Sequence, residues 1–357
     1  MIPTPETVSA AWLTEQLQRN GHDSVEVLGF TATQIGTGQI GKCVRFELDL
    51  SSRDGAAPTS LVGKFPSDDP TSRATGVALR NYYREVRFYQ ILADELSIST
   101  PRCFFAAIDG EGPTFALLLE DLHPATQGNQ LAGCDAHVAA AALDELVGLQ
   151  APSWCEPRFK THDWLMPTPA EPTSDVTGLY RQMLPGFIDR YGSRLAREQV
   201  EILSRVGDSP GCPLFAPFPE NRYCLEHVDY RLDNMMIDVR DDVVSVAVVD
   251  WQSVKVGAPL NDVAYFLGAG LQPDLRRDIE ESLVRRYHHG LLQTGVEGFD
   301  WAACWESYRQ SSFAGFGVTV IASMIVQQTT RGDEMFITMA DRHSRHALDL
   351  GAAEFLD

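Results

Sequence analysis

The chain has 357 residues, 44% of them hydrophobic and 22% charged, a globular composition long enough for two domains or for one domain of two lobes. Lys and Arg number 29 against 49 Asp and Glu, giving a net charge of −20 that repels a phosphate backbone and excludes nucleic acid as an expected partner. Any anion bound here must meet locally placed cations, backbone N–H groups or a metal ion.

Residues 1–13 contain Pro3, Pro5 and Glu6 and lack a basic start followed by an apolar stretch, so no signal peptide is expected. The seven cysteines are odd in number, scattered and never spaced C-x-x-C, which reads as reduced thiols rather than as zinc ligands or a disulfide framework. The longest uncharged apolar segment, 313–326, is too short to span a bilayer and reads as a buried helix. These features together predict a soluble cytoplasmic protein without a membrane partner.

Strand-like texture runs to about Leu119 and helical periods dominate beyond about Ala136. The fold class expected is α+β, with a small β-rich N-terminal lobe over 1–120 and a larger helical C-terminal lobe over 121–357. In chain order, Gly36, Gly38 and Gly41 form G-x-G-x-x-G. Val44, Phe46, Leu48 and Leu50 then alternate with polar residues, so a strand follows the glycines where a dinucleotide site would need a helix. Glycines between two strands let backbone N–H groups approach phosphates with no Cβ in the way, although a plain hairpin uses the same residues. Lys64 lies in a short apolar strand, where a buried ammonium needs an anionic partner. Glu85 is the candidate, on a helix expected from about 76 to 96 whose apolar residues recur at three- and four-residue steps. The run Phe115 to Leu119 reads as a strand, and Glu120 to Pro124 as the joint between lobes.

Helices are expected at roughly 136–150, 174–191, 196–206, 273–291, 301–328 and 333–349. Between them, 227–255 breaks the helical texture. The β-branched run 243–249, after an acidic turn holding Asp238, Asp241 and Asp242, predicts a buried hairpin ending at Asp250. Arg342, His343, Arg345 and His346 read as a solvated helix face, with a cationic edge for an anionic substrate as the alternative. The aromatic residues Trp154, Trp164, Phe187, Tyr191, Trp301, Trp305, Tyr308, Phe313 and Phe316 could line an apolar cleft in the second lobe, with ordinary core as the alternative.

Glu226 to Asn234 contains His227, Asp229 and Asn234 as H-x-D-x-x-x-x-N, and a strand ending at Asp250 follows it. This pair of segments resembles the catalytic and metal loops of the aminoglycoside phosphotransferase/choline kinase superfamily, and its texture is similar to the ecdysteroid-kinase-like and hydroxyacyl-CoA-kinase-like branches. The glycine loop, Lys64, Glu85 and the joint at Glu120 occur in the expected order, so the resemblance covers nearly the whole chain. It implies a protein-kinase-like fold and an ATP- and Mg²⁺-dependent small-molecule kinase. By the same resemblance Asp229 orients the acceptor hydroxyl and takes its proton, while His227 braces the loop. Asn234 and Asp250 hold Mg²⁺, the glycine loop, Lys64 and Glu85 serve the phosphates, and Glu120 to Leu122 present backbone to adenine. Asp262 matches a structural carboxylate behind the catalytic loop.

Two departures stand out. Many relatives carry H-G-D where this chain has His227-Val228-Asp229, and an acidic residue often stands where Gln252 is, which leaves one or two metal ions open. No Ala-Pro-Glu segment follows Asp250, which separates the chain from protein kinases. The acceptor is expected to be a small-molecule hydroxyl, acyl- or sterol-like. The alternatives are an aminoglycoside O-phosphotransferase and a nucleotide-binding pseudokinase module; oligomeric state is not legible.

Overall fold

β1 (Val27–Ile35) is followed by β2 (Gly41–Leu50), whose alternation turns Val44 and Phe46 inward and leaves Glu47 exposed, the period of a sheet covered on one face. The computed structural model describes residues 2–36, 40–52, 57–166, 176–210, 214 and 218–356. Gly38, at the centre of the glycine motif, lies outside the described residues. With β3 (Ser60–Pro66), β4 (Cys103–Ile108) and β5 (Phe115–Glu120) the strands form an antiparallel sheet ordered β1-β2-β3-β5-β4. Helix α1 (Ala10–Arg19), N-capped by Ser9, packs Leu13 and Leu17 among Val44, Phe46, Leu61, Phe65 and Leu118. Gly63 is required inside β3, because a Cβ there would lie 2.6 Å from the Phe65 ring and 2.8 Å from Phe46.

The helix expected over 76–96 is divided. α2 (Pro70–Ala78) starts on an Asp69 cap with proline in its first turn, and α3 (Asn81–Arg87) runs into a π-helical turn, Phe88–Leu92. Arg80 separates the two with φ 55°. The buried Asn81 then donates from Nδ2 to the Gln252 carbonyl at 3.0 Å. These elements, with residues 249–253, make one compact unit, Met1–Glu95, Thr100–Pro124 and Val249–Ser253.

The second unit comprises Leu96–Ser99, Ala125–Val248 and Val254–Asp357. Its first elements are β6 (Thr126–Gln127), α4 (Ala136–Gln150), α5 (Val176–Tyr191) and α6 (Arg197–Asp208). β7 (Cys224–Glu226) follows, then the hairpin of β8 (Met235–Arg240) and β9 (Val243–Val248), which turns at Asp241 and Asp242, both at positive φ, and then β10 (Lys255–Gly257), which pairs with β7. α7 (Leu260–Gly270), α8 (Pro273–Gln293), α9 (Trp301–Ser311), α10 (Ala314–Ile325) and α11 (Thr330–Asp349) complete it. The helix expected at 301–328 is therefore two helices, interrupted at the buried Ser312 and Phe313. α7 lacked a helical signal because it is apolar almost all round, with every residue buried except Asn261. A core of this second unit joins Tyr180, Leu184 and Phe187 of α5 to Ile202 and Leu203 of α6 and to Phe316 and Val320 of α10. Among the described residues no helix is long and apolar enough to cross a membrane.

Candidate active site

Strand register decides where Lys64 points. It pairs with Cys43 of β2 and with Leu117 of the buried β5, so it stands on a central strand of the sheet. Its Nζ lies 2.7 Å from Glu85 Oε1 and 2.7 Å from Asp250 Oδ1. Burial works against the ammonium, but the Asp250 and Glu85 carboxylates outweigh it and hold the Lys64 pKa well above the ordinary value. Glu85 on α3 is 2% exposed, and desolvation pushes it up to about 7, with Lys64 offsetting only part. One cation thus faces two carboxylates, an arrangement with room for further positive charge. Gln252 Nε2 donates to Asp250 Oδ2 at 3.2 Å, so both oxygens of that carboxylate are oriented. Trp251 is clamped beside it, stacked on Phe88 at 3.9 Å with its Nε1 donating to Thr100.

Of the glycine motif, Gly36 has φ 73° and ends β1, and Gly41 opens β2, where a Cβ would meet Lys64 Cε at 3.0 Å. Tyr82 of α3 donates its hydroxyl to the Ile40 carbonyl at 2.6 Å and so ties the loop to the helix bearing Glu85. At the joint, Glu120 is exposed and its N–H donates to Arg102 O, while Leu122 is half-buried. Asp121, which sequence reasoning did not single out, accepts from Arg45 Nε at 2.7 Å, Arg45 Nη2 at 3.0 Å and Ser60 Oγ at 2.8 Å. Burial raises its pKa less than these donors lower it.

In the second unit the segment 227–234 runs from β7 to β8. Asp262, near the start of α7, accepts from the His227 N–H at 2.7 Å and from the Val228 N–H at 2.9 Å. Burial and the neighbouring Glu226 carboxylate push Asp262 up to about 7, against the pull of those two N–H groups. The pair bends the chain so that Val228 takes φ 75°, a left-handed conformation in which a β-branched residue is strained. This explains the departure from H-G-D: the conformation is the one glycine adopts freely, and the Asp262 bonds impose it on valine. His227 is fully buried, its ring edge-on to Tyr230 at 5.8 Å.

Asp229 is met by three donors, with Arg231 Nε at 2.8 Å and Tyr265 Oη at 2.9 Å on Oδ1, and Asn234 Nδ2 at 2.8 Å on Oδ2. Burial would raise its pKa, but Arg231, His227 and Tyr265 more than offset that and keep it below the ordinary carboxylate value, so it is ionised at neutral pH. Asn234 also donates Nδ2 to the Asp229 carbonyl at 2.9 Å, which leaves its amide oxygen as the acceptor available to a cation. Asp233 is held by Arg231, Arg331 and the Gln130 N–H, so that it serves the loop's architecture.

One expectation outside this core is corrected, and for the aromatic residues the core alternative holds for most. The segment 342–346 is not a solvated face. Arg342, His343 and His346 are buried, with Arg342 donating to the carbonyls of Gln130, Leu131 and Ala269, and Arg345 alone of the four is exposed. Among the aromatic residues expected at a cleft, Trp164, Phe187, Tyr191, Tyr308, Phe313 and Phe316 are core, leaving Trp154, Trp301 and Trp305 half-buried.

Three solved structures show the fold: a microcompartment-associated aminopropanol kinase, at 13% identity and TM-score 0.56, covering 97% of this chain and 99% of that one; a choline kinase from Cryptosporidium parvum Iowa II, at 10% identity and TM-score 0.55, covering 96% and 95%; and the GDP complex of aminoglycoside 2′-phosphotransferase-IIIa, at 11% identity and TM-score 0.53, covering 94% and 99%. No curated protein sequence matches the chain. The ecdysteroid kinase-like family profile matches residues 38–296. The chain belongs to the ecdysteroid kinase-like family, and with it to the small-molecule kinases of the protein-kinase-like fold.

Proposed function

We propose that the chain transfers the γ-phosphoryl group of ATP to a hydroxyl of a neutral, acyl- or sterol-like small molecule, with Asp229 as the residue that meets the acceptor. The observation that carries this reading is the Asp229 carboxylate, half-buried, ionised and fixed by Arg231, Tyr265 and Asn234. In the transfer, the acceptor oxygen forms a bond to Pγ, the bond from Pγ to the bridging β-oxygen breaks, ADP leaves, and the hydroxyl proton passes to Asp229. A carboxylate held below its ordinary pKa is a weak base, so it acts chiefly by aligning the hydroxyl and takes the proton late, as suits a loose transition state. Lys64, fixed by Glu85, would serve the phosphates, and the glycine motif Gly36, Gly38 and Gly41 would cover them. Because the Glu120 N–H is committed to Arg102, adenine would meet the backbone further on, toward Leu122.

Asp250 and Asn234 offer one carboxylate and one amide oxygen, a donor set that suits Mg²⁺ completed by phosphate oxygens and water. When bound, the ion would neutralise charge on the phosphates during transfer. Gln252 stands where a second carboxylate would bind more metal and instead donates to Asp250, which favours a single ion. The steroid-alcohol direction of the acceptor rests on the family match; an aminoglycoside acceptor is the competing reading, favoured by the net charge of −20.

Asp229→Asn tests the proposal. Turnover of Mg·ATP should fall by several orders of magnitude while nucleotide affinity stays near the wild-type value. Retention of a tenth or more of wild-type turnover, with chemistry rate-limiting, would remove Asp229 from this role.

A further inference from the structure

The donors that fix Asp229 differ in origin. Arg231 and Asn234 belong to its own loop, at sequence separations of 2 and 5, whereas Tyr265 reaches it from α7, at a separation of 36. A carboxylate oxygen has about two acceptor directions. Arg231 and Tyr265 occupy both on Oδ1, while Asn234 occupies one on Oδ2. The remaining direction, on Oδ2, is where an acceptor hydroxyl can bind.

What keeps the Tyr265 phenol in place is unusual. Its ring stacks on that of His343 from α11, with centroids 5.3 Å apart and planes 15° from parallel. His343 is fully buried, and among the described residues neither ring nitrogen has a hydrogen-bond partner. A buried, unsatisfied imidazole is costly and calls for a reason. The reason is visible in the packing: the ring is a thin plate in a slot between two helices that both present glycine. A Cβ at Gly268 on α7 would lie 2.8 Å from His343 Nδ1, and one at Gly315 on α10 would lie 2.1 Å from His343 Cε1 and 2.2 Å from Nε2. The slot therefore admits a flat ring, and that ring covers the face of Tyr265.

We propose that Tyr265 is a positioning residue for Asp229: it saturates Oδ1 and leaves Oδ2 as the atom that meets the acceptor, and the His343 plate between Gly268 and Gly315 holds it there. The proposal rests on the reading of Asp229 given above. Tyr265→Phe keeps the ring and its stack and removes only the hydroxyl. With Mg·ATP and water as the acceptor, kcat for phosphate release should fall about 10- to 100-fold, while KM for Mg·ATP stays within about twofold and the melting temperature is nearly unchanged. His343→Ala should lower kcat in the same way, and Tyr265→Phe/His343→Ala should be no slower than Tyr265→Phe alone, because the two act through one hydroxyl. Wild-type kcat in Tyr265→Phe overturns the inference, whatever His343→Ala does to folding. So does a further loss, of the same factor, when Tyr265→Phe is added to Asp229→Asn, since Tyr265 would then act elsewhere. Wild-type turnover in Asp229→Asn itself would overturn the proposed function instead.

Discussion

Lys64 shows how a single buried charge organises its surroundings, since its ammonium is stable in β3 only because Glu85 and Asp250 each lie 2.7 Å from it. The consequence for Glu85 is testable by pH. Its folded-state pKa of about 7 exceeds the ordinary 4.5, so the folded protein holds this proton more tightly than the unfolded chain. The stability that proton contributes is fully present below the unfolded value and is lost as pH rises through about 7. Glu85→Gln should remove this titration, and the stability of wild type relative to the variant should fall by up to about 3 kcal/mol across that window. Urea unfolding of both proteins at either side of the window measures it; parallel pH profiles would show that Glu85 does not titrate there. The Lys64 and Glu85 pair was legible in sequence because a buried lysine demands a carboxylate and one helix offered it. Asp121 and Tyr265 were not, because their partners lie 76 and 36 residues away and nothing local marks them.

At the scale of elements, hydrophobic period served well where a helix has one buried face and failed where it has none or where the backbone turns. α4, with its Asp135 cap, falls at 136–150 as the pattern predicts, whereas α7 is buried all round and left no period to read. The breaks at Arg80 and at Ser312-Phe313 interrupt continuous apolar periods, because those periods report burial and not the φ of one residue. Val228 holds φ 75° at a strain cost of about 1–2 kcal/mol, imposed by the N–H bonds to Asp262. Val228→Gly should relieve that strain and give back part of it through the freer unfolded chain, for a net gain of about 1 kcal/mol. Chemical denaturation would show an increased midpoint at unchanged slope. A loss of stability would mean that the valine methyl groups contribute more packing than the backbone conformation costs.

Over the whole molecule, the change of texture near Leu119 and the order of motifs made a two-lobed kinase-like fold readable, because each lobe keeps its own period and the motifs follow one another in a fixed order along the chain. The acceptor was not readable, since the aromatic residues that hinted at a cleft are mostly core and sequence does not separate a core aromatic from a lining one. Net charge offers a measurement that does not depend on knowing the site. At −20 the protein attracts polycations at long range, and that attraction is screened over about 10 Å at 0.1 M salt. An acceptor chosen by field alone would therefore lose kcat/KM steeply as salt rises, whereas one chosen by a desolvated pocket would not. For a sterol-like or acyl alcohol we expect kcat/KM to change less than about twofold between low and physiological salt, and to exceed that of kanamycin at the higher salt. Steady-state kinetics on a matched panel at both ionic strengths decides the matter. If kanamycin remained the better substrate at physiological salt, the neutral-acceptor reading would fall, whereas the proposed roles of Asn234 and Asp250 at the phosphates and of Asp229 toward the acceptor hydroxyl would not, because an aminoglycoside also presents a hydroxyl.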